Sequence, residues 1–120
     1  MKEADLMRLQ MIALSKEGHL CLRANVGQAW TGDVTKLPDG SVLIRNPRPF
    51  KTGLPNGFSD VFGFTVDCRP FFMETKTPTG VLSGDQLTFL QAMKARGAVA
   101  GVARSVDEAL DLMRKSHHST

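Results

Sequence analysis

Apolar side chains at Leu6, Met7, Leu9, Met11, Ile12 and Leu14 recur at helical intervals and stop before Gly18. This pattern predicts a first amphipathic helix over residues 3–17, ended by a glycine able to take the left-handed conformation. From His19 to Trp30 the period changes to two. Leu20, Leu22, Ala24 and Val26 fall on one side and Arg23 with Asn25 on the other, as in a strand with one packed and one polar face. Pro38-Asp39-Gly40 followed by Val42-Leu43-Ile44 predicts a hairpin, proline setting φ and glycine supplying positive φ. The Pro-, Gly- and Lys/Arg-rich stretch from Arg48 to Phe58 has no period and predicts a mobile surface loop.

The second half is more regular. Two very apolar runs, Val61–Val66 and Phe71–Thr77, flank a turn through Asp67-Cys68-Arg69-Pro70. Ser83 and Gln86 have capping-box spacing at the head of a helix that Gly97 ends. The small apolar run from Ala98 to Ala103 predicts a strand buried on both faces. Ser105 and Glu108 then repeat the capping-box spacing before a closing helix. The order predicts an α/β fold with a mixed central sheet flanked by helices. At 120 residues, with no repeat and no low-complexity segment, a single domain spanning 1–120 is expected.

Composition changes this picture little, since 42% hydrophobic and 22% charged residues are those of an ordinary globular chain. Charge changes it more. Residues 1–58 hold eight Lys/Arg against five Asp/Glu, whereas residues 59–120 hold seven of each, so the net +3 lies in the first half and a polyanionic partner becomes a candidate. Cys21 and Cys68 sit in apolar segments without metal-ligand spacing and read as buried, reduced thiols. With a charged N-terminus and no apolar run of membrane-spanning length, a cytoplasmic protein is expected. His117 and His118 belong to a polar tail.

The candidate chemistry lies at the ends of the two apolar runs. Glu74 and Lys76, two apart on a strand, share a face, while Met73 and Thr75 project into the opposite layer. A hairpin turning near Asp67 brings Asp60 level with Glu74. Two carboxylates ~5 Å apart at an effective dielectric of ~20 repel by about 3 kcal/mol, which a lysine offsets in part and a divalent cation offsets further. Hard oxygen ligands of this kind suit Mg2+ or Mn2+, and a lysine beside them can orient or deprotonate a water that attacks a phosphodiester. The same residues have a plainer reading: Asp60 opens a strand as a turn residue, and Glu74 with Lys76 forms a solvated ion pair.

The company of these residues favours the first reading. "SDVFGF", starting at Ser59, followed by "FFMETKTPTGVLSGDQLTFLQAMKARGAVAGVARSVDEAL" and preceded by "LRANVGQAW", resembles the virus-type replication-repair nuclease (VRR-NUC) family of the PD-(D/E)-x-K superfamily. The resemblance covers nearly the whole chain. It implies a restriction-endonuclease-like fold and a Mg2+-dependent DNA endonuclease, with Mn2+ able to substitute, acting on branched DNA such as four-way junctions as a homodimer. By the same resemblance Asp60 and Glu74 are metal ligands, Lys76 is the catalytic lysine and the Thr75 carbonyl is a further ligand. Gln86 matches a family glutamine, and Glu3 an acid of the first helix that reaches the metal. Ser59 stands where the superfamily has proline. Gln86 has a second reading as a capping residue, and Glu3 as an acid in a first helical turn. Arg23, Asn25, Arg45, Arg48 and Lys51 are candidate DNA contacts, and Trp30, Phe50 and Phe58 candidate interface residues. Two other functions stay open: a DNA-binding module that has lost catalysis, and a sequence-specific restriction-type enzyme.

Overall fold

The computed structural model describes residues 1–24, 28–51 and 53–116. The chain divides into two compact units, one of Met1–Ala24 with Asn56–Thr120 and one of Asn25–Pro55.

The larger unit contains α1 (Glu3–Lys16), β1 (Leu20–Arg23), β4 (Val61–Phe64), β5 (Pro70–Thr75), α2 (Gly84–Ala95), β6 (Val99–Ala103) and α3 (Val106–Ser116); the smaller contains β2 (Gln28–Lys36) and β3 (Val42–Lys51). The sheet of the larger unit has the order β1-β4-β5-β6. It is mixed: β1 and β5 each run antiparallel to β4, whereas β6 is parallel to β5 and is reached through α2. The molecule is therefore mixed α/β, with helices on a four-stranded mixed sheet. No helix among the described residues is long and apolar enough to cross a membrane.

One sheet face carries the main core. Val61, Phe71, Met73, Val99 and Ala103 project from the strands onto Met7 and Leu14 of α1 and Ala109 and Met113 of α3. Burial of each large apolar side chain here stabilises the fold by roughly 1.5–3 kcal/mol. The opposite face holds an aromatic cluster, in which Phe58 meets Phe62, Phe72 and the Phe89 ring of α2 with centroids 4.9–5.9 Å apart. Phe58 is thus packed within its own unit. Gly63 lets β1 close on β4, because a Cβ there would lie 1.8 Å from the Leu20 carbonyl oxygen.

Several expectations are corrected. The buried stripe of α1 is Leu6, Met7, Gln10 and Leu14, while Leu9 and Ile12 are exposed, because the helix meets both the sheet and α3 along the Met7–Gln10–Leu14 line. On β1 the face is inverted: Cys21 packs against the core, and Leu20 and Leu22 are 55% and 40% exposed. The register explains this, since Leu20 and Leu22 oppose Phe64 and Phe62 on the aromatic face, away from α1 and α3. Cys68 is not buried; it occupies the β4–β5 turn at φ 65°, where Cys68 N donates to the Thr65 carbonyl. Both cysteines are free thiols, and burial pushes the Cys21 thiol up. The strand β6 lies at the sheet edge and, as expected, exposes neither face: Val99 and Ala103 are buried and the residues between them half-buried.

The smaller unit is a two-stranded antiparallel ribbon. Its tip is the expected Pro-Asp-Gly turn, with Asp39 Oδ1 accepting from Ser41 N at 2.9 Å. Arg48 to Lys51, read from the sequence as loop, continue β3 and pair with Thr31 to Gln28. Prolines 47 and 49 hid the strand, yet a two-stranded ribbon consists only of edges, where proline's missing N–H is tolerated. A bulge sets Gly32 against Asn46 and Pro47, with Asn46 at φ 51°. Asn25, Val26, His117 and His118 lie outside the described residues.

Candidate metal centre

The β4–β5 ladder ends with Val61 opposite Met73, so the next positions set Asp60 opposite Glu74 at the open end of the hairpin. Directly opposed residues share a sheet face with Cβ atoms ~4.5–5.5 Å apart. Asp60 is half-buried and Oδ2 accepts from Thr75 N at 3.3 Å, while its carbonyl accepts from Ala24 N at 2.9 Å. The carboxylate is therefore held from both sides of its strand.

Glu74 is only 1% exposed. Its Oε1 accepts from Gln86 Nε2 at 2.9 Å, and its Oε2 is buried with no hydrogen-bond partner. Burial, followed by the hydrogen bond to and negative charge of Asp60, pushes the Glu74 carboxyl up to about 8; Lys76 acts in the opposite direction. An acid this far from its ordinary range keeps its proton well above the pH at which a free glutamate ionises. Lys76 is half-buried at the end of β5, its backbone N donating to the Ala103 carbonyl at 3.2 Å.

Gln86 does both things its position allowed. Its Oε1 accepts from Ser83 N at 2.9 Å and its own N donates to Ser83 Oγ at 3.1 Å, completing the capping box, while Nε2 turns to Glu74. The first turn of α2 is thereby tied to the acid on β5. In front of α3, Glu108 N donates to Ser105 Oγ at 3.0 Å, but the Glu108 carboxylate reaches Arg104 N instead of closing a full box.

Thr75 is fully buried on the other face, its hydroxyl donating to Gln10 Oε1 at 2.7 Å. Gln10 Nε2 in turn donates to the carbonyls of Ala103 (3.2 Å) and Ser105 (3.0 Å), so one buried amide fastens α1 to β5 and β6 directly behind the acids. The sequence reading missed Gln10. Its signal was a polar residue standing in the line Met7, Gln10, Leu14. Arg104 was also missed: its Nη1 donates to the carbonyls of Thr77 (2.8 Å) and Gly80 (2.6 Å) and pins the loop that follows Lys76.

Asp60, Glu74, Thr75, Lys76 and Gln86 thus converge at one end of the sheet. Glu3 does not join them. It is half-buried in the first turn of α1, and among the described residues no group of three or more His, Cys, Asp or Glu side chains gathers as a metal site. Ser59, fully buried, leaves its hydroxyl without a partner. Arg23 is exposed at the end of β1, in the larger unit. Arg45, Arg48 and Lys51 belong to the ribbon unit instead, and Asn25 lies outside the described residues.

The donor set suits a hard divalent cation: two facing carboxylates, one with an orphaned, water-excluded oxygen. Two acids and a lysine on one sheet face define a class of site able to bind such a cation beside an anionic substrate. The chain matches no protein-family model and none of the curated proteins with which it was compared.

Proposed function

We propose that this protein is a Mg2+-dependent endodeoxyribonuclease with a restriction-endonuclease-like fold, of the VRR-NUC kind, Mn2+ being able to substitute. The observation that carries the reading is the buried Glu74 carboxyl, which faces a second acid and whose Oε2 accepts from no donor group of the protein. A native fold rarely leaves such an atom unpaired without a functional reason. The sheet order and the βαβ connection through α2 fit the proposed fold.

Asp60 and Glu74 would hold the cation, which supplies charge neutralisation at the phosphate and a more acidic bound water. Gln86 orients Glu74 through Oε1, leaving Oε2 for the cation. Lys76, half-buried and close enough to Glu74 to act on its carboxyl, orients the attacking water and offsets negative charge at the phosphate. Gln10 and Thr75 fix the strand from behind, so that the acids keep their spacing. The substrate is DNA, with branched forms such as four-way junctions preferred. The protein acts as a homodimer in the cytoplasm, one subunit for each of two symmetric incisions.

The test incubates the purified protein with linear, flapped and four-way DNAs in Mg2+, Mn2+ or EDTA. Cutting of branched DNA in either metal, and none in EDTA, is the expected result. Binding without cutting in both metals would point to a non-catalytic module, and sequence-dependent cutting of linear DNA to a restriction-type enzyme.

A further inference from the structure

The ribbon has no core. Among its described side chains from Trp30 to Phe50, only Gly32 and Ile44 are even half-buried, and a lone two-stranded ribbon is marginal in water.

Its two faces differ. Direct pairing puts Trp30 with Pro49 and Val34 with Ile44 on one face, and Thr31 with Arg48, Asp33 with Arg45 and Thr35 with Leu43 on the other. The second face carries both arginines of the ribbon, with Asp33 beside Arg45, whereas Lys36 and Lys51 fall at first-face positions. Asp33 accepts from Asn46 Nδ2 at 3.2 Å, and no hydrogen bond or ion pair among the described residues engages the guanidinium of Arg45 or Arg48. The unit Asn25–Pro55 holds four Lys/Arg against two Asp/Glu, so most of the chain's net +3 resides there. The bulge at Gly32 lies between the two arginine pairs and twists the ribbon at that point. Nine residues of β2 span about 30 Å, close to one turn of duplex DNA.

We infer that the β2–β3 ribbon is a DNA-binding arm that lays its Arg45/Arg48 face into the major groove of a duplex. The major groove of B-form DNA, about 12 Å wide, admits a two-stranded ribbon without deformation, whereas the minor groove, about 6 Å wide, takes one only when the duplex is bent and opened. The deep, narrow major groove of double-stranded RNA closes it to side chains as well. Two exposed arginines set about 10 Å or less apart on one face match phosphates lining the groove. The inference takes its partner class from the nuclease reading but assigns a different job to different residues: the ribbon supplies affinity, and Asp60, Glu74 and Lys76 supply the chemistry.

The test measures affinity for a short duplex by fluorescence anisotropy in EDTA, where cleavage does not interfere, across a salt series. Relative to the wild type, the double variant R45A/R48A is expected to lose up to ~1.8 from the slope of log K against log salt, about 0.9 per phosphate contact. R45K/R48K, which keeps both charges, should restore the slope. Duplexes with glucosylated 5-hydroxymethylcytosine, which fills the major groove, should bind weakly. Netropsin in the minor groove should leave binding unchanged, and double-stranded RNA should compete poorly. A wild-type slope in R45A/R48A would overturn the inference, as would binding that netropsin abolishes. So would a wild-type slope accompanied by a change in particle mass for W30A by light scattering, which would make the ribbon a protein-contact element. Binding with these properties by a protein that never cuts DNA would defeat the nuclease reading and leave the arm intact; cutting by a protein whose R45A/R48A slope is unchanged would do the reverse.

Discussion

The larger unit and the ribbon use charge in opposite ways. In the sheet unit the decisive acid is buried and holds its proton: Glu74, 1% exposed, faces a second acid and is pushed up to about 8. In the ribbon the charges are in water and cost nothing to hold, because Arg45 and Arg48 are exposed. Buried charge is expensive, so burial keeps the proton on Glu74; exposed charge is cheap and suits an extended polyanion. Substitutions in the two regions should therefore separate by kind as well as by size.

The largest effect is expected at Lys76. Lys76→Ala should lower cleavage by on the order of 10²–10⁴-fold while thermal unfolding and DNA affinity stay close to wild type, because the ammonium acts on the reacting water and not on the core. Single-turnover cleavage assays check this, and undiminished Mg2+-dependent cutting would remove Lys76 from the site.

Next comes the support behind the acids. Gln10→Ala leaves the Thr75 hydroxyl and the Ala103 and Ser105 carbonyls without a buried partner, which should cost about 2–3 kcal/mol in denaturant unfolding. A loss under about 0.5 kcal/mol would mean that water replaces the amide.

Glu74→Gln tests the buried charge directly. Because the folded-state value of about 8 lies above the ordinary 4.5, the folded protein keeps a proton that the unfolded chain has already lost. The metal-free wild type should then lose stability as pH rises from about 4.5 to about 8 and level off above it. Glu74→Gln, with no carboxyl to ionise, should flatten that slope, so its melting temperature should exceed that of the wild type more at pH 8.5 than at pH 5. Equal differences at the two pH values would mean that Glu74 is not the titrating group.

Gln86→Ala should cost about 1 kcal/mol through the lost half of the capping box, and should in addition slow cleavage by freeing Glu74 Oε1. The smallest effect belongs to the ribbon, where Arg45→Ala and Arg48→Ala should each change stability by less than about 0.5 kcal/mol in chemical denaturation. A larger loss would show that the arginines brace the ribbon internally.

What the sequence made legible follows from where local signals suffice. The register that opposes Asp60 to Glu74 was readable because the turn at Asp67–Pro70 leaves little freedom in a short hairpin. The Ser83–Gln86 box was readable as a local motif, but its second bond to Glu74 was not, since that contact joins residues 12 apart on different elements. The packed face of β1 was misjudged for a related reason. Alternation places Leu20 and Leu22 together without saying which layer lies above them, and here α1 and α3 lie on the Cys21 side. Gln10 was hidden because helical periodicity weighs apolar residues and passes over a polar one serving three partners. The ribbon beyond Ile44 was hidden by prolines that an isolated two-stranded pairing accommodates.

The central claim is that Asp60 and Glu74 together hold a divalent cation. Calorimetric titration of Mg2+ or Mn2+ at pH 8 into the wild type, Asp60→Asn and Glu74→Gln addresses it most directly. Binding by the wild type and its weakening or loss in both variants are expected, with cation-induced stabilisation of the wild type lost in parallel. Absence of cation binding by the wild type, or affinity unchanged in both variants, would contradict the claim and return the two carboxylates to a structural role.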